Sequence, residues 1–127
     1  MKDKVYQRLA SLVVAYKNCE KNDNDVWKNE HNISIDKIME TSPSGSGFDN
    51  GTSIDIEESD ENKLVFYTEF HHMEEHGYYA GWTDHKIIVE PNLVFDFVVI
   101  VEGDDVNYIK EYIEEVFCNW LNTNVVI

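Results

Sequence analysis

Hydrophobic and β-branched residues are densest between Lys63 and Glu102, where they alternate with polar residues. A period of two is typical of strands that bury one face. Turn residues at Gly77 and at Pro91-Asn92 divide the segment into three predicted strands, residues 64–70, 78–90 and 93–101. Because short connections join neighbouring antiparallel strands, we predict a meander.

In the third strand, the residues predicted to face the core are Leu93, Phe95, Phe97, Val99 and Val101. The opposite face of the sheet, with Tyr67, Glu69, Tyr79 and Trp82, is expected to be half exposed and suits a binding patch or ordinary sheet packing.

Apolar residues recur at helical spacing near both ends of the chain. The first set predicts a helix over roughly residues 2–19 and comprises Val5, Leu9, Leu12, Val13 and Tyr16. The second predicts a helix that begins at Asp104 or Asp105, reaches about residue 122 and comprises Val106, Ile109, Ile113, Phe117, Trp120 and Leu121. Two short helices are predicted between them, one through Val26 and Trp27 and one capped by Ser34.

Residues 41–51, TSPSGSGFDNG, are predicted to form a loop because glycine, proline and small polar residues punctuate them. A short strand over residues 52–56 follows. The predicted fold class is therefore α+β in a single domain, residues 1–127. It has an N-terminal helical region (1–40), a loop and short strand (41–62), a three- to four-stranded antiparallel meander (63–102) and a C-terminal helix (104–122) packed on one sheet face.

The chain is strongly acidic, with 25 Asp and Glu against 10 Lys and Arg and a net charge of −15. The charge is uneven: residues 1–22 carry five basic and two acidic residues (net +3), and the rest carries five basic and 23 acidic residues (net −18). Such a field repels nucleic acid and anionic membranes and attracts basic proteins. With only two cysteines and no apolar run long enough for a membrane helix, a cytoplasmic location is predicted.

The histidines are the strongest candidates for catalytic or metal-binding residues. His72, Glu75 and His76 satisfy H-x-x-E-H, the inverted zinc-peptidase pattern, but that pattern requires a helix and here follows a predicted strand. A less demanding alternative is a small metal-binding protein or metal-dependent enzyme, with zinc held by His71, His72, His76 and Glu75. The wider ligand set adds Glu74, Asp84 and His85. A straight hairpin turning near Glu75 would place His71 opposite Tyr79 and His85 roughly 20 Å away, too far to share an ion.

No enzyme signature in the sequence is strong enough to name a reaction. Cys19 and Cys118 have no base nearby in the sequence, and cysteines that merely pack are commoner than nucleophiles. With so many carboxylates, no acid–base pair can be selected. The sequence therefore favours a binding protein over an enzyme.

The segment FHHMEEHGYYAGWTDH, with SPSGSGFDNGT upstream and YIKEYIEEVF downstream, resembles a family of small uncharacterised proteins found in phage and mobile-element genomes. The resemblance covers roughly residues 42–117. It implies a mobile-element source and brings no functional residues with it.

The leading hypothesis is an acidic inhibitor that blocks a basic nucleic-acid-binding effector such as a nuclease, as anti-CRISPR, antirestriction and nuclease-immunity proteins do. Carboxylates two apart on a strand lie ~6.7 Å apart and those one helical turn apart ~5 to 6 Å apart, which is of the same order as successive phosphates. The predicted partner-binding residues are Asp55, Glu57, Glu58, Asp60, Glu61, Glu111, Glu114 and Glu115. The simpler alternative is that the acidity only confers solubility. An exposed Trp27 or Trp82 could also mark a homodimer contact.

Overall fold

The structure, a computed structural model, describes residues 3–44, 48–73, 79–94, 96–103, 106–123 and 125–126. In chain order the elements are β1 (Asp3–Lys4), α1 (Val5–Lys21), α2 (Asp25–Met39), β2 (Phe48–Ile54), β3 (Leu64–Met73), β4 (Tyr79–Asn92), β5 (Asp96–Gly103), α3 (Val106–Thr123) and β6 (Val125–Val126). The fold is α+β, as the sequence predicts.

Four strands form an antiparallel sheet in the order β2-β3-β4-β5, and β1 pairs with β6 in a small separate sheet. Cross-strand pairing assigns the side chains to two faces, because residues directly opposite each other share a face. The inner face comprises Phe48, Leu64, Phe66, Thr68, Phe70, His85, Ile87, Val89, Phe97 and Val101. The outer face comprises Ser53, Tyr67, Glu69, Asp84, Lys86, Ile88, Ile100 and Glu102.

The hydrophobic core lies between the inner face and the helices. Leu9 and Val13 of α1 and Phe117 of α3 are fully buried in it. Phe66 packs against Phe117 at a ring-centroid distance of 5.6 Å and against Trp120 at 5.7 Å. Burial of each such side chain contributes roughly 1.5–3 kcal/mol. Both α1 and α3 therefore cover the inner face.

The segment between α1 and the sheet forms one helix, α2, and not the two short helices predicted. Asn24 caps it, since its side-chain oxygen accepts a hydrogen bond from the backbone N–H of Trp27 at 3.4 Å. Ile35 and Ile38 are buried against the core, so packing overrides the low helix propensity of Asn29, Asn32 and Ser34, which precede them in the helix.

Three strand predictions also need correction. Part of the predicted loop is strand, since β2 begins at Phe48 and ends at Ile54. The turn after β4 is formed at Leu93 and Val94, after Pro91 and Asn92 and not at them, and Asp96 at the start of β5 has a φ of 71°. Leu93 is consequently fully exposed in the turn and does not face the core. The predicted cap at Asp104 or Asp105, like the placement of Phe95, lies outside the described residues.

The hydroxyl of Tyr6 is buried in the core with no hydrogen-bond partner among the residues that the structure describes. Its ring stacks on Phe97 at a centroid distance of 6.2 Å. Burial, and then the negative charges of Asp60 and Glu90, raise the pKa of Tyr6 to about 12. A buried hydroxyl in this position loses its hydration without compensation.

We expect Tyr6→Phe to raise the free energy of unfolding by about 1 kcal/mol at neutral pH. The raised pKa also makes wild-type stability depend on pH. The unfolded chain releases the tyrosine proton near pH 10 and the folded chain near pH 12, so stability is full below pH 10 and falls as pH rises towards 12. Urea unfolding of both proteins at neutral and alkaline pH measures the two effects. A variant that is less stable than wild type at neutral pH, or that loses more stability in alkali, would contradict this assignment.

Candidate functional site

Five of the predicted partner-binding carboxylates lie together in the connection between β2 and β3. Two of them maintain its backbone conformation. The Asp55 Oδ1 atom accepts a hydrogen bond from the Glu58 N–H at 3.0 Å. The Asp60 Oδ1 atom accepts from the Asn62 N–H at 2.7 Å and the Lys63 N–H at 3.1 Å. Because β2 ends at Ile54, the strand spacing predicted for Asp55 and Glu57 does not apply to them.

Buried contacts fix this connection to the rest of the fold. The Ser59 hydroxyl is fully buried, donates to the Asp55 carbonyl at 2.6 Å and accepts from the Val65 N–H at 2.9 Å. From α1, the Lys17 ammonium donates to the carbonyls of Glu57, at 3.1 Å, and Ser59. The acidic connection is therefore held rigidly, with Glu57 and Glu61 exposed on it.

Glu58 extends from this connection over the outer face. Its Oε2 atom lies 2.8 Å from the Lys86 ammonium and accepts a hydrogen bond from the Tyr67 hydroxyl at 3.4 Å. The hydrogen bond that the Lys86 ammonium donates to the Glu58 carboxylate raises the pKa of Lys86. Glu102 lies directly opposite Lys86 across β4 and β5. A single lysine is thus flanked by two carboxylates.

Two further carboxylates, Glu69 and Asp84, lie directly opposite each other across β3 and β4. Directly opposed residues place their Cβ atoms ~4.5–5.5 Å apart, where like charges destabilise a sheet. They occupy the row next to Tyr67 and Lys86, ~6.7 Å along the strands. The outer face therefore gathers Glu58, Glu69, Asp84 and Glu102 around one cation, Lys86, among its described residues.

A cleft of about 430 Å³ opens beside this pair. It is lined by Thr52, Ser53, Tyr67, Thr68, Glu69, Asp84 and His85. The cleft lies next to the register shift in β2 between Phe48 and Thr52. His85 is buried, and its Nε2 atom lies 2.6 Å from the Thr83 hydroxyl.

The other three predicted carboxylates belong to α3. Glu111 and Glu115 are exposed one helical turn apart, while Glu114 pairs with Lys110 at 3.9 Å. Since α3 packs on the inner face and Glu58 contacts the outer face, the structure does not bring the helical group together with the loop group. Glu58 and the helical group therefore lie on opposite sides of the sheet.

The alternation in the sequence predicts that Glu69 lies on the exposed face, but the predicted partner-binding residues do not include Glu69, Asp84 or Glu102. Residues 69 and 84 are far apart in sequence, and only the β3–β4 register makes them neighbours. The period-two alternation indicates which side chains share a face. It does not give the position of the turn, which sets the register between β3 and β4.

The histidine predictions are only partly covered by the described residues. His71 and His72 lie in β3, opposite Trp82 and Gly81, so H-x-x-E-H begins on a strand. The side chains of His71 and His72, with Glu74, Glu75 and His76, lie outside the described residues, as does the Trp82 side chain. Among the side chains that are described, no group of three His, Cys, Asp or Glu residues could hold a metal ion.

The predicted hairpin register is wrong by three residues, because β4 is offset and a register shift follows His72. His71 pairs with Trp82 and not with Tyr79, and His85 pairs with Thr68. His85 is therefore ~10 Å from His71 along the strands, about half the separation expected.

Both cysteines are half-buried and free. Burial, and then the nearby charge of Glu114, raise the pKa of the Cys118 thiol. A raised pKa keeps the thiol protonated, which argues against Cys118 as a nucleophile. Trp27, a predicted homodimer contact, is exposed on α2.

No protein family, curated protein or solved structure that we compared matches this chain. None of the described helices is both long and apolar enough to cross a membrane.

Proposed function

We propose that this protein is an acidic inhibitor that binds a basic nucleic-acid-binding protein, such as a nuclease effector, through the outer face of its sheet. The partner would meet it in the cytoplasm of a cell carrying the phage or mobile element. The bound surface comprises Glu58, Glu69, Asp84 and Glu102, with Tyr67 and the apolar residues beside them.

The observation that carries the proposal is the direct opposition of Glu69 and Asp84 on a hydrogen-bonded sheet. Two carboxylates held at that separation repel each other and destabilise the sheet. Together, however, they present two negative charges to a groove lined by lysine or arginine. The intervals within the surface, ~5 Å across strands and ~6.7 Å along them, resemble the spacing of phosphates along a strand of nucleic acid. A groove that binds phosphates could therefore accept this face instead.

Apolar side chains within the outer face favour a specific surface over acidity that serves solubility alone. Tyr67 is 39% exposed and Ile100 is 36% exposed, and Ile88 lies between them in the sheet. Charges bring the partners together from a distance, while exposed aromatic and aliphatic groups contribute short-range contact area. A surface that combines the two is typical of protein interfaces.

Competition with nucleic acid tests the proposal. Fluorescent duplex DNA, or guide RNA where appropriate, is bound to purified members of a panel: a CRISPR effector, a restriction endonuclease and a bacteriocin nuclease. We expect the protein to displace nucleic acid from at least one of them at about 50 mM salt and to do so much less well at about 200 mM. The proposal is contradicted if the protein displaces nucleic acid from none of the members at low salt, or if the displacement does not depend on the salt concentration.

Charge-matched variants distinguish the outer face from overall charge. We expect the double variant Glu69→Gln, Asp84→Asn to weaken inhibition about tenfold, because it removes two desolvated ion pairs worth about 1.4 kcal/mol in total. The control Glu111→Gln, Glu115→Gln removes the same charge from α3 and is expected to change inhibition less than about twofold. The outer-face variant relieves the like-charge repulsion between residues 69 and 84, and urea unfolding checks that both variants remain folded. Equal weakening by both variants would show that only net charge matters.

A further inference from the structure

The strand β5 forms one edge of the sheet, and its pairing with β4 is regular over eight residue pairs from Asp96 to Gly103. No strand in the described part of the chain pairs with the other side of β5. The opposite edge strand, β2, is less regular, because its register shifts between Phe48 and Thr52. An edge strand presents backbone N–H and C=O groups that can pair with another chain.

The middle of β5 lacks the usual protection of an edge strand. Residues 97–101, FVVIV, include no charge, proline or glycine. Ile100 is 36% exposed, and Val99 on the inner side is only partly buried although its β4 neighbour Val89 is fully buried. Natural edges are normally blunted by lysine, proline or a bulge, so this edge is suited to strand addition.

The charges at the ends of β5 decide which kind of strand fits. Asp96 and Glu102 flank the apolar stretch, and Asp104 and Asp105 follow in the sequence. If a second copy paired its β5 antiparallel so that Phe97 met Val101, Asp96 would lie opposite Glu102 at both ends. Like charges there, and −15 on each chain, oppose that dimer. A strand with lysine or arginine at its ends is attracted instead.

We propose that β5 accepts an extended basic segment of the partner protein as a fifth strand of the sheet. In the middle of this segment, apolar residues alternate with polar ones. At its two ends, lysine or arginine residues lie close to Asp96 and Glu102. This inference rests on the proposed function and specifies how the basic partner engages the molecule. Backbone pairing holds the segment at the edge, and the adjoining outer face contacts the rest of the partner.

Synthetic peptides test the strand addition separately from inhibition. The probe is a peptide of alternating valine and threonine with a pair of lysines at each end. The first control has proline at its centre and the same charge, and the second has glutamates in place of the lysines. We expect the probe to slow amide hydrogen exchange at alternate residues of 97–101, and both controls to bind at least tenfold more weakly. No protection of β5 by the probe at low salt, or equal binding of the proline peptide, overturns the inference; the outer-face proposal would survive either result.

A pair of variants locates the binding on the protein. Ile100→Lys places a cation beside the edge, and Val26→Lys makes the same charge change on α2, where Val26 is 70% exposed. We expect the first to weaken probe binding at least tenfold and the second less than about twofold. Sedimentation of the free protein distinguishes a basic partner segment from a second copy of this chain at β5. A dimer that Ile100→Lys abolishes and Val26→Lys preserves would overturn the proposal of a basic segment.

Discussion

Gly103→Ala is expected to lower the free energy of unfolding by about 3 kcal/mol, combining backbone strain of roughly 1–3 kcal/mol with a steric clash. Gly103 has a φ of +153°, a backbone conformation that L-residues with a Cβ atom rarely adopt. A Cβ atom there would lie 2.5 Å from the Asp84 carbonyl oxygen and 2.7 Å from Nδ1 of His85. The backbone oxygen cannot move away without disturbing β4, so glycine is required for β5 to pass the His85 ring.

Urea unfolding monitored by tryptophan fluorescence measures the change. A double-mutant cycle with His85→Ala separates the two contacts, because removing the imidazole relieves one clash and leaves the clash with Asp84. The double variant is therefore expected to lose less stability than the sum of the single variants. An unchanged unfolding midpoint for Gly103→Ala would show that β5 does not approach β4 as described.

Phe66→Ala is expected to lower the free energy of unfolding by about 3–5 kcal/mol, the largest loss that we predict for the fold. Phe66 is fully buried and joins the sheet to α3 through Phe117 and Trp120. Its removal leaves a cavity between layers that cannot close without moving the helix. In a domain of 127 residues, such a loss is a large fraction of total stability.

The neighbouring residue in β3 provides the control for Phe66. Tyr67 is 39% exposed on the outer face, so Tyr67→Ala is expected to cost less than about 1 kcal/mol. Both variants are compared by urea unfolding at neutral pH. Similar losses for the two substitutions would contradict the assignment of inner and outer faces.

The fold class followed from local patterns in the sequence, whereas several boundaries depended on tertiary contacts. The dense alternation in residues 63–102 predicted the meander, and the apolar stripe of α3 predicted the last helix. The strand β2 was partly missed because glycine, aspartate and asparagine dominate residues 49–51, and pairing of Phe48 with Phe70 overrides that composition. The exposure of Leu93 was missed because the turn depends on the unusual backbone of Asp96.

The candidate site was harder to predict than the fold. Composition indicated an acidic binding protein, but it drew attention to the densest acidic run, where Asp55 and Asp60 in fact stabilise a turn. The opposition of Glu69 and Asp84 depends on a register fixed by the whole hairpin, and one residue of slip would separate them. Local sequence carries little information on that register.

The most direct test of the central claim is amide chemical-shift mapping of isotope-labelled protein titrated with the nuclease that it displaces from nucleic acid. We predict that the largest perturbations fall on the outer face, around Tyr67, Glu69 and Asp84, and that the amides of Glu111 and Glu115 change little. Perturbations centred on α3, or distributed evenly over the acidic surface, would contradict the account.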